Sequence, residues 1–168
     1  DNLTDDEEEY NNTCCKVDTK ELRLLIDVWC NEVKKFKEKN REEMEFEALK
    51  DFELYSKVSE DIIVKYEGKI PEQFINIWKK YGFGQFLQGY FKLVNPDNYI
   101  EFVRKSYFEK NCIPLLVTAF GDIVVWEKNE YLSLLTYRYR NFDCLEYGCE
   151  FLFNDLSDNE YVERHFKN

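Results

Sequence analysis

Apolar positions first fall into register at residues 22–36. Leu22, Leu25, Ile26, Trp29, Val33 and Phe36 recur every three or four residues, with lysines and acids between them. This spacing predicts a long amphipathic helix from Asp18 or Thr19 to about Lys39-Asn40, opened by an Asp18/Glu21 capping-box pattern. In residues 42–55, Phe46, Leu49 and Phe52 favour a second helix. Ser59 then opens a short helix bearing Ile62, Ile63 and Tyr66, which Gly68 ends. Pro71 suits the first position of the next helix, where its missing N–H is no loss. Phe74, Ile75, Trp78 and Tyr81 form that helix's stripe, and Gly82 follows as a C-terminal cap.

After Gly84 the period changes. Residues 89–94 have the character of a strand, and Asn95-Pro96 restarts a helix containing Tyr99, Ile100, Phe102 and Val103. Residues 115–127 form an apolar strand, a tight Gly121-Asp122 turn and a second apolar strand, the pattern of a buried hairpin. Residues 131–140 continue as another strand. The end returns to helix, with Phe151, Leu152 and Leu156 followed by a second capping box, Ser157 and Glu160. The order describes an α+β domain: an antiparallel β-sheet of about four strands, packed with helices from the N-terminal half and the C-terminus. The organisation expected is an acidic tail at 1–17, a helical region at 18–58 and the α+β domain at 59–168.

The strands have apolar residues on both faces. Ile123 and Val125 lie opposite Val124 and Trp126, and Tyr131, Ser133, Leu135, Tyr137 and Tyr139 share one side of the next strand. Both faces need covering, and the N-terminal helices are expected to supply the second cover. Tyr and Trp on an incompletely covered face are what protein interfaces favour.

Charge sharpens the picture. The chain has 34 acidic and 23 basic side chains, a net charge of −11, and six of the acids fall within the first nine residues. The remainder carries 28 acids against 23 bases, −5. That balance argues against nucleic acid or anionic membrane as a partner and for a basic protein. No segment is long and apolar enough to span a bilayer, and no secretory leader opens the chain, so the expected compartment is the cytoplasm. The six cysteines are irregularly spaced, which fits buried thiols better than a disulfide framework.

Candidate chemistry is sparse. His165 is the single histidine, which excludes a two-imidazole metal site and favours a helix-end role. Cys144 and Cys149 lack the CxxC spacing of structural zinc sites. Gly82-Phe83-Gly84 follows a helix and lacks a third glycine, so it is expected to be a turn rather than a dinucleotide loop. Asp122 fits a turn residue bonding its own backbone. No nucleophile, base and oxyanion site assemble. The expectation is a non-enzyme without catalytic residues, cofactor or metal.

Ile70-Pro71, Trp78, Tyr81-Gly82-Phe83-Gly84, Gly89, Asn95-Pro96 and Phe120-Gly121-Asp122, followed by the YRYR strand, occur in an order that resembles the GAD-like domain family. The resemblance spans residues 60–166. It implies kinship with immunity proteins paired with type VI secretion DNase toxins, within the wider group of immunity domains similar to a yeast cell-wall regulator. It therefore implies a protein of bacterial competition that occludes the active site of a cognate, basic toxin, such as a nuclease. The alternative is a non-catalytic regulatory module resembling the GAD insertion of aspartyl-tRNA synthetases and acting in translation. Toxin-paired relatives often continue beyond the point where this chain stops. Candidate toxin-binding residues are the carboxylates Glu42, Glu43, Glu45 and Glu47, with Asp122, Trp126, Tyr131, Tyr137 and Tyr139 on the sheet.

Overall fold

A computed structural model describes residues 19–43 and 46–167. The chain divides into two units, Asp1–Met44 and Glu45–Asn168. In the first, helix α1 (Thr19–Glu43) matches the 3.6-residue stripe.

The second unit is built on a seven-stranded antiparallel sheet in sequential order, not one of about four strands. Its strands are β1 (Glu53–Ser56), β2 (Phe83–Phe86), β3 (Phe91–Leu93), β4 (Ile113–Thr118), β5 (Ile123–Glu127), β6 (Tyr131–Thr136) and β7 (Asn141–Tyr147). Helices α2 (Glu60–Tyr66) and α3 (Glu72–Tyr81) link β1 to β2, and α4 (Ile100–Ser106) links β3 to β4. Short helices α5 (Leu152–Asp155) and α6 (Asn159–Val162) close the chain, with a π-helical turn at Glu163–Lys167.

Three strands escaped the sequence pattern for physical reasons. The helix expected at 42–55 is a single 3₁₀ turn at Glu47–Leu49 followed by β1. Ala48 and Leu49 are buried while all four residues of β1 are exposed, so one edge strand shows no apolar alternation. The segment Gly82-Phe83-Gly84 is a helix end running into β2 rather than a turn. Gly84 is required there because a Cβ would collide with the Glu53 carbonyl and the Phe52 ring. The strand expected at 131–140 stops at Thr136, and residues 137–140 turn into β7.

Register sorts the side chains. Leu116, Val124, Trp126, Leu132 and Leu134 face one side, where Phe74, Trp78, Phe153 and Phe166 pack against them. Each large apolar side chain fully buried there contributes about 1.5–3 kcal/mol. Val117, Ile123, Val125 and Leu135 face the other side. Its cover is Val103 of α4 and the following Tyr107, not α2 or α3, whose buried residues belong to the first side. Toward β1 this face turns polar, and Gln85 Nε2 donates to Glu53 Oε2 at 2.6 Å.

The β4–β5 hairpin is as expected, and its turn is locked locally. Thr118 N donates to Asp122 O at 2.8 Å, and Asp122 N donates to Thr118 Oγ1 at 3.1 Å. Gly121 sits at φ 83°, the left-handed region that favours glycine. At the C-terminus Asp158, rather than Ser157, caps α6 by accepting from Glu160 N at 2.9 Å.

Candidate interaction surface

Two buried carboxylates of the sheet, Asp122 and Glu127, are bonded within the fold. Asp122 is fully buried, and its Oδ2 accepts from Arg138 Nε at 3.0 Å and Nη2 at 2.9 Å. Arg138 Nη2 also donates to Phe166 O at 2.9 Å, and Tyr90 Oη donates to the same carbonyl at 2.9 Å. The Phe120 ring lies 4.3 Å from the Arg138 guanidinium. Phe120-Gly121-Asp122 and the first arginine of the YRYR run, Arg138, are thus two halves of one latch that fixes the C-terminal turn to the sheet. The expectation that Asp122 bonds its own backbone, or meets a partner, gives way to this ion pair.

On the opposite face Glu127 accepts from Tyr107 Oη at 3.0 Å and from Ser133 Oγ at 2.8 Å. Burial and the Glu127 carboxylate push the Tyr107 phenol up. Burial pushes the Cys112 thiol up to about 11, which leaves it protonated at neutral pH. Cys30, Cys112, Cys144 and Cys149 are free thiols; Cys14 and Cys15 lie outside the described residues. The His165 ring packs 4.6 Å from Tyr161. Among the described residues no His/Cys/Asp/Glu group is arranged to hold a metal.

The surface with a distinctive composition is the chain's last third. Between residues 141 and 163 there are seven carboxylates, Asp143, Glu146, Glu150, Asp155, Asp158, Glu160 and Glu163, and no Lys or Arg. Asp143, Glu150, Asp158, Glu160 and Glu163 are exposed. Their field is felt nearby. Burial, then Glu146 and Glu150, push the Cys149 thiol up to about 12. Burial, then Asp155 and Glu146, raise Tyr161 to about 12. Glu146 itself is raised, chiefly by burial and next by Asp155 and Glu150, while backbone N–H groups of Leu152 and Phe151 partly hold it down.

Aromatic rings stand among these acids. Phe142, Tyr147 and Phe151 are 50%, 71% and 63% exposed. Phe142 contacts Phe108 and Tyr107, with ring centroids 5.1 and 5.6 Å away. These rings, with Ser106, Tyr137 and Arg140, line a groove of about 420 Å³ along β7. β7 is an edge of the sheet. Its outer backbone groups are therefore open to a partner strand.

The residues singled out from sequence scatter. Tyr137 enters the groove, 5.0 Å from Phe102, and Tyr139 is exposed beside Arg138. Tyr131 meets Tyr147 across β6 and β7 at 5.5 Å. Trp126 is buried, its Nε1 donating to Asn129 Oδ1 at 3.2 Å, so it is core rather than contact surface. Glu47 is exposed and ion-paired with Lys50. Glu42 and Glu43 end α1, and their side chains lie outside the described residues, as do Glu45 and the acidic stretch at 1–17. The acidic face at 141–163 was missed, although a 23-residue run without a cation is legible as charge pattern alone.

Residues 42–137 match a family model described as the GAD-like domain. A crystal structure of Atu4351 from Agrobacterium tumefaciens is similar, with a TM-score of 0.58 and 23% identity. The similarity covers 70% of this chain and 62% of that one, and at this identity it speaks for the fold alone. Among curated proteins there is no match. No described helix is long and apolar enough to cross a membrane.

Proposed function

The chain belongs to the GAD-like domain family, and from that premise we propose that it is an immunity protein of interbacterial competition that binds a basic toxin and occludes its active site. The observation that carries this reading is the segment at residues 141–163, which holds seven carboxylates without a single Lys or Arg together with three exposed aromatic rings. Exposed acids raise the rate of encounter with a basic cleft, because attraction acts over about a Debye length before contact. Exposed aromatics beside a groove then supply the desolvated anchors that slow dissociation. The two roles fall on different residues of one segment. A nuclease, whose cleft must attract phosphate, is the toxin class such a face fits best.

The test is kinetic. A catalytically inactivated candidate toxin, the product of an adjacent gene, is immobilised, and binding is followed at low and physiological salt. Combining Asp143→Asn, Glu150→Gln and Glu160→Gln is expected to slow association about tenfold at low salt and leave dissociation within about twofold. Phe142→Ala with Phe151→Ala is expected to do the reverse. Deletion of residues 5–9 and neutralisation of Glu42, Glu43, Glu45 and Glu47 are the matched controls. If those controls slow association and the 141–163 variant does not, the surface assignment is wrong.

A further inference from the structure

Lys92 lies in β3, half-buried on the second side of the sheet, opposite Gln85 of β2 and Val117 of β4. The Gln85 carboxamide is used at both ends: its Oε1 accepts from Tyr55 Oη, and its Nε2 donates to Glu53. Val117 offers nothing polar. Among the described residues Lys92 has no hydrogen-bond or ion-pair partner. A partly desolvated ammonium without a counter-ion is costly, so this position favours a negative group arriving from outside.

The cleft it lines is rich in donors and poor in acceptors. Lys92 and Lys57, the latter also unpartnered among the described residues, line a cavity of about 460 Å³ that no carboxylate lines. Ser59, on its wall, precedes α2 without capping it, so its hydroxyl is uncommitted. Asn95 Oδ1 accepts from Asp97 N at 3.0 Å, which leaves the Asn95 N–H donors unused. The neighbouring acids are engaged elsewhere or stand outside: Asp97 is held by Lys65 and Tyr66, Glu53 by Gln85, and the exposed Glu60 and Asp61 do not line the cavity. We propose that this cleft binds the phosphate of a small phosphorylated molecule, whose organic part rests against Tyr99. A carboxylate would neutralise one ammonium, whereas a phosphate monoester carries nearly two charges and three acceptor oxygens, matching two lysines and the free donors between them. A phosphodiester backbone has one charge per phosphate and would meet a chain of net charge −11. The proposal does not depend on the toxin reading.

Amide shifts of the nitrogen-15-labelled full chain, titrated with inorganic phosphate, AMP, cyclic AMP and adenosine, test this. AMP is expected to move residues 56–59 and 92–99 with a Kd below about 1 mM, and inorganic phosphate to move the same residues more weakly. Cyclic AMP, a monoanion, should bind at least about tenfold less tightly than AMP. Lys57→Met and Lys92→Met should each weaken AMP at least about tenfold, the loss of one charge-assisted bond. Lys79→Met, on the exposed side of α3, should leave it unchanged. Should Lys92→Met lower the thermal midpoint, Lys57→Met, in the exposed chain after β1, decides alone. No shift at these residues with about 10 mM phosphate or AMP overturns the site. Adenosine or cyclic AMP binding as tightly as AMP, or lysine variants within about twofold of wild type, overturns the phosphate assignment. Inorganic phosphate binding as tightly as AMP overturns the part given to Tyr99.

Discussion

Replacing Asp122 with Asn keeps the shape of the side chain and removes its charge, leaving Arg138 without a counter-ion. The pair is asymmetric: the Asp122 side chain is 1% exposed and that of Arg138 is 24%. Removing one partner of a buried pair costs about 3–5 kcal/mol, because the other charge is stranded. Water reaches part of the Arg138 guanidinium, so the lower end applies, and we expect a loss of about 2–4 kcal/mol. In a chain of this length that lowers the thermal midpoint by roughly 2–4 °C per kcal/mol. Arg138 also holds the Phe166 carbonyl, so the C-terminal turn should open first. Urea denaturation gives the global loss, and amide exchange near Phe166 gives the local one. The decisive arm is a double-mutant cycle with Arg138→Met. If the charges matter through each other, the double variant is more stable than the sum of the single losses predicts. A loss below about 1 kcal/mol for Asp122→Asn, or strict additivity in the cycle, would refute the latch.

Other predictions use separate parts of the molecule. Gly121→Val places a β-branched residue at φ 83° in a turn where a Cβ meets nothing within 4 Å; backbone strain alone should cost more than about 1 kcal/mol in urea melts. Asp97 accepts from Lys65 at 2.6 Å and Tyr66 at 2.5 Å, and these two bonds hold its carboxyl below the usual range. A lowered folded value stabilises above the unfolded one, so the margin of wild type over Asp97→Asn should be full at neutral pH. It should shrink below about pH 5 and vanish once pH passes the folded value, as acid titrations of both proteins will show. Glu146 is raised, the opposite sign: its folded state favours the proton, so its ionisation destabilises the fold as pH rises. Glu146→Gln should therefore be more stable than wild type at pH 8, with the gain fading toward pH 4.

What the sequence showed depended on how deeply each element is buried. The β4–β5 hairpin and helix α3 were legible because their apolar residues are core residues, and the period of the pattern is the period of burial. β1 and β7 were not, since both are edges whose exposed residues have no reason to alternate. β2 hid behind its glycine, which its place beside the Glu53 backbone requires. The candidate surface was half legible. Tyr137 lines the groove along β7 and Tyr139 is exposed, but Trp126 and Asp122 proved to be interior. Aromatic residues report burial and interface alike, and only the fold separates the two. The acidic run at 141–163 was legible as a stretch without a cation, although its carboxylates are interspersed with core residues such as Leu152, Phe153 and Leu156.

The central claim is stoichiometric inhibition of a toxin by a protein that performs no chemistry on it. Its most direct test titrates this protein against a fixed concentration of an active candidate toxin, the product of an adjacent gene, well above the dissociation constant, and follows residual toxin activity. The account predicts a linear fall to zero at one binding site per toxin molecule, with full recovery of activity when high salt and dilution separate the complex. Complete protection at a small fraction of an equivalent, or toxin that stays inactive after separation, would contradict it.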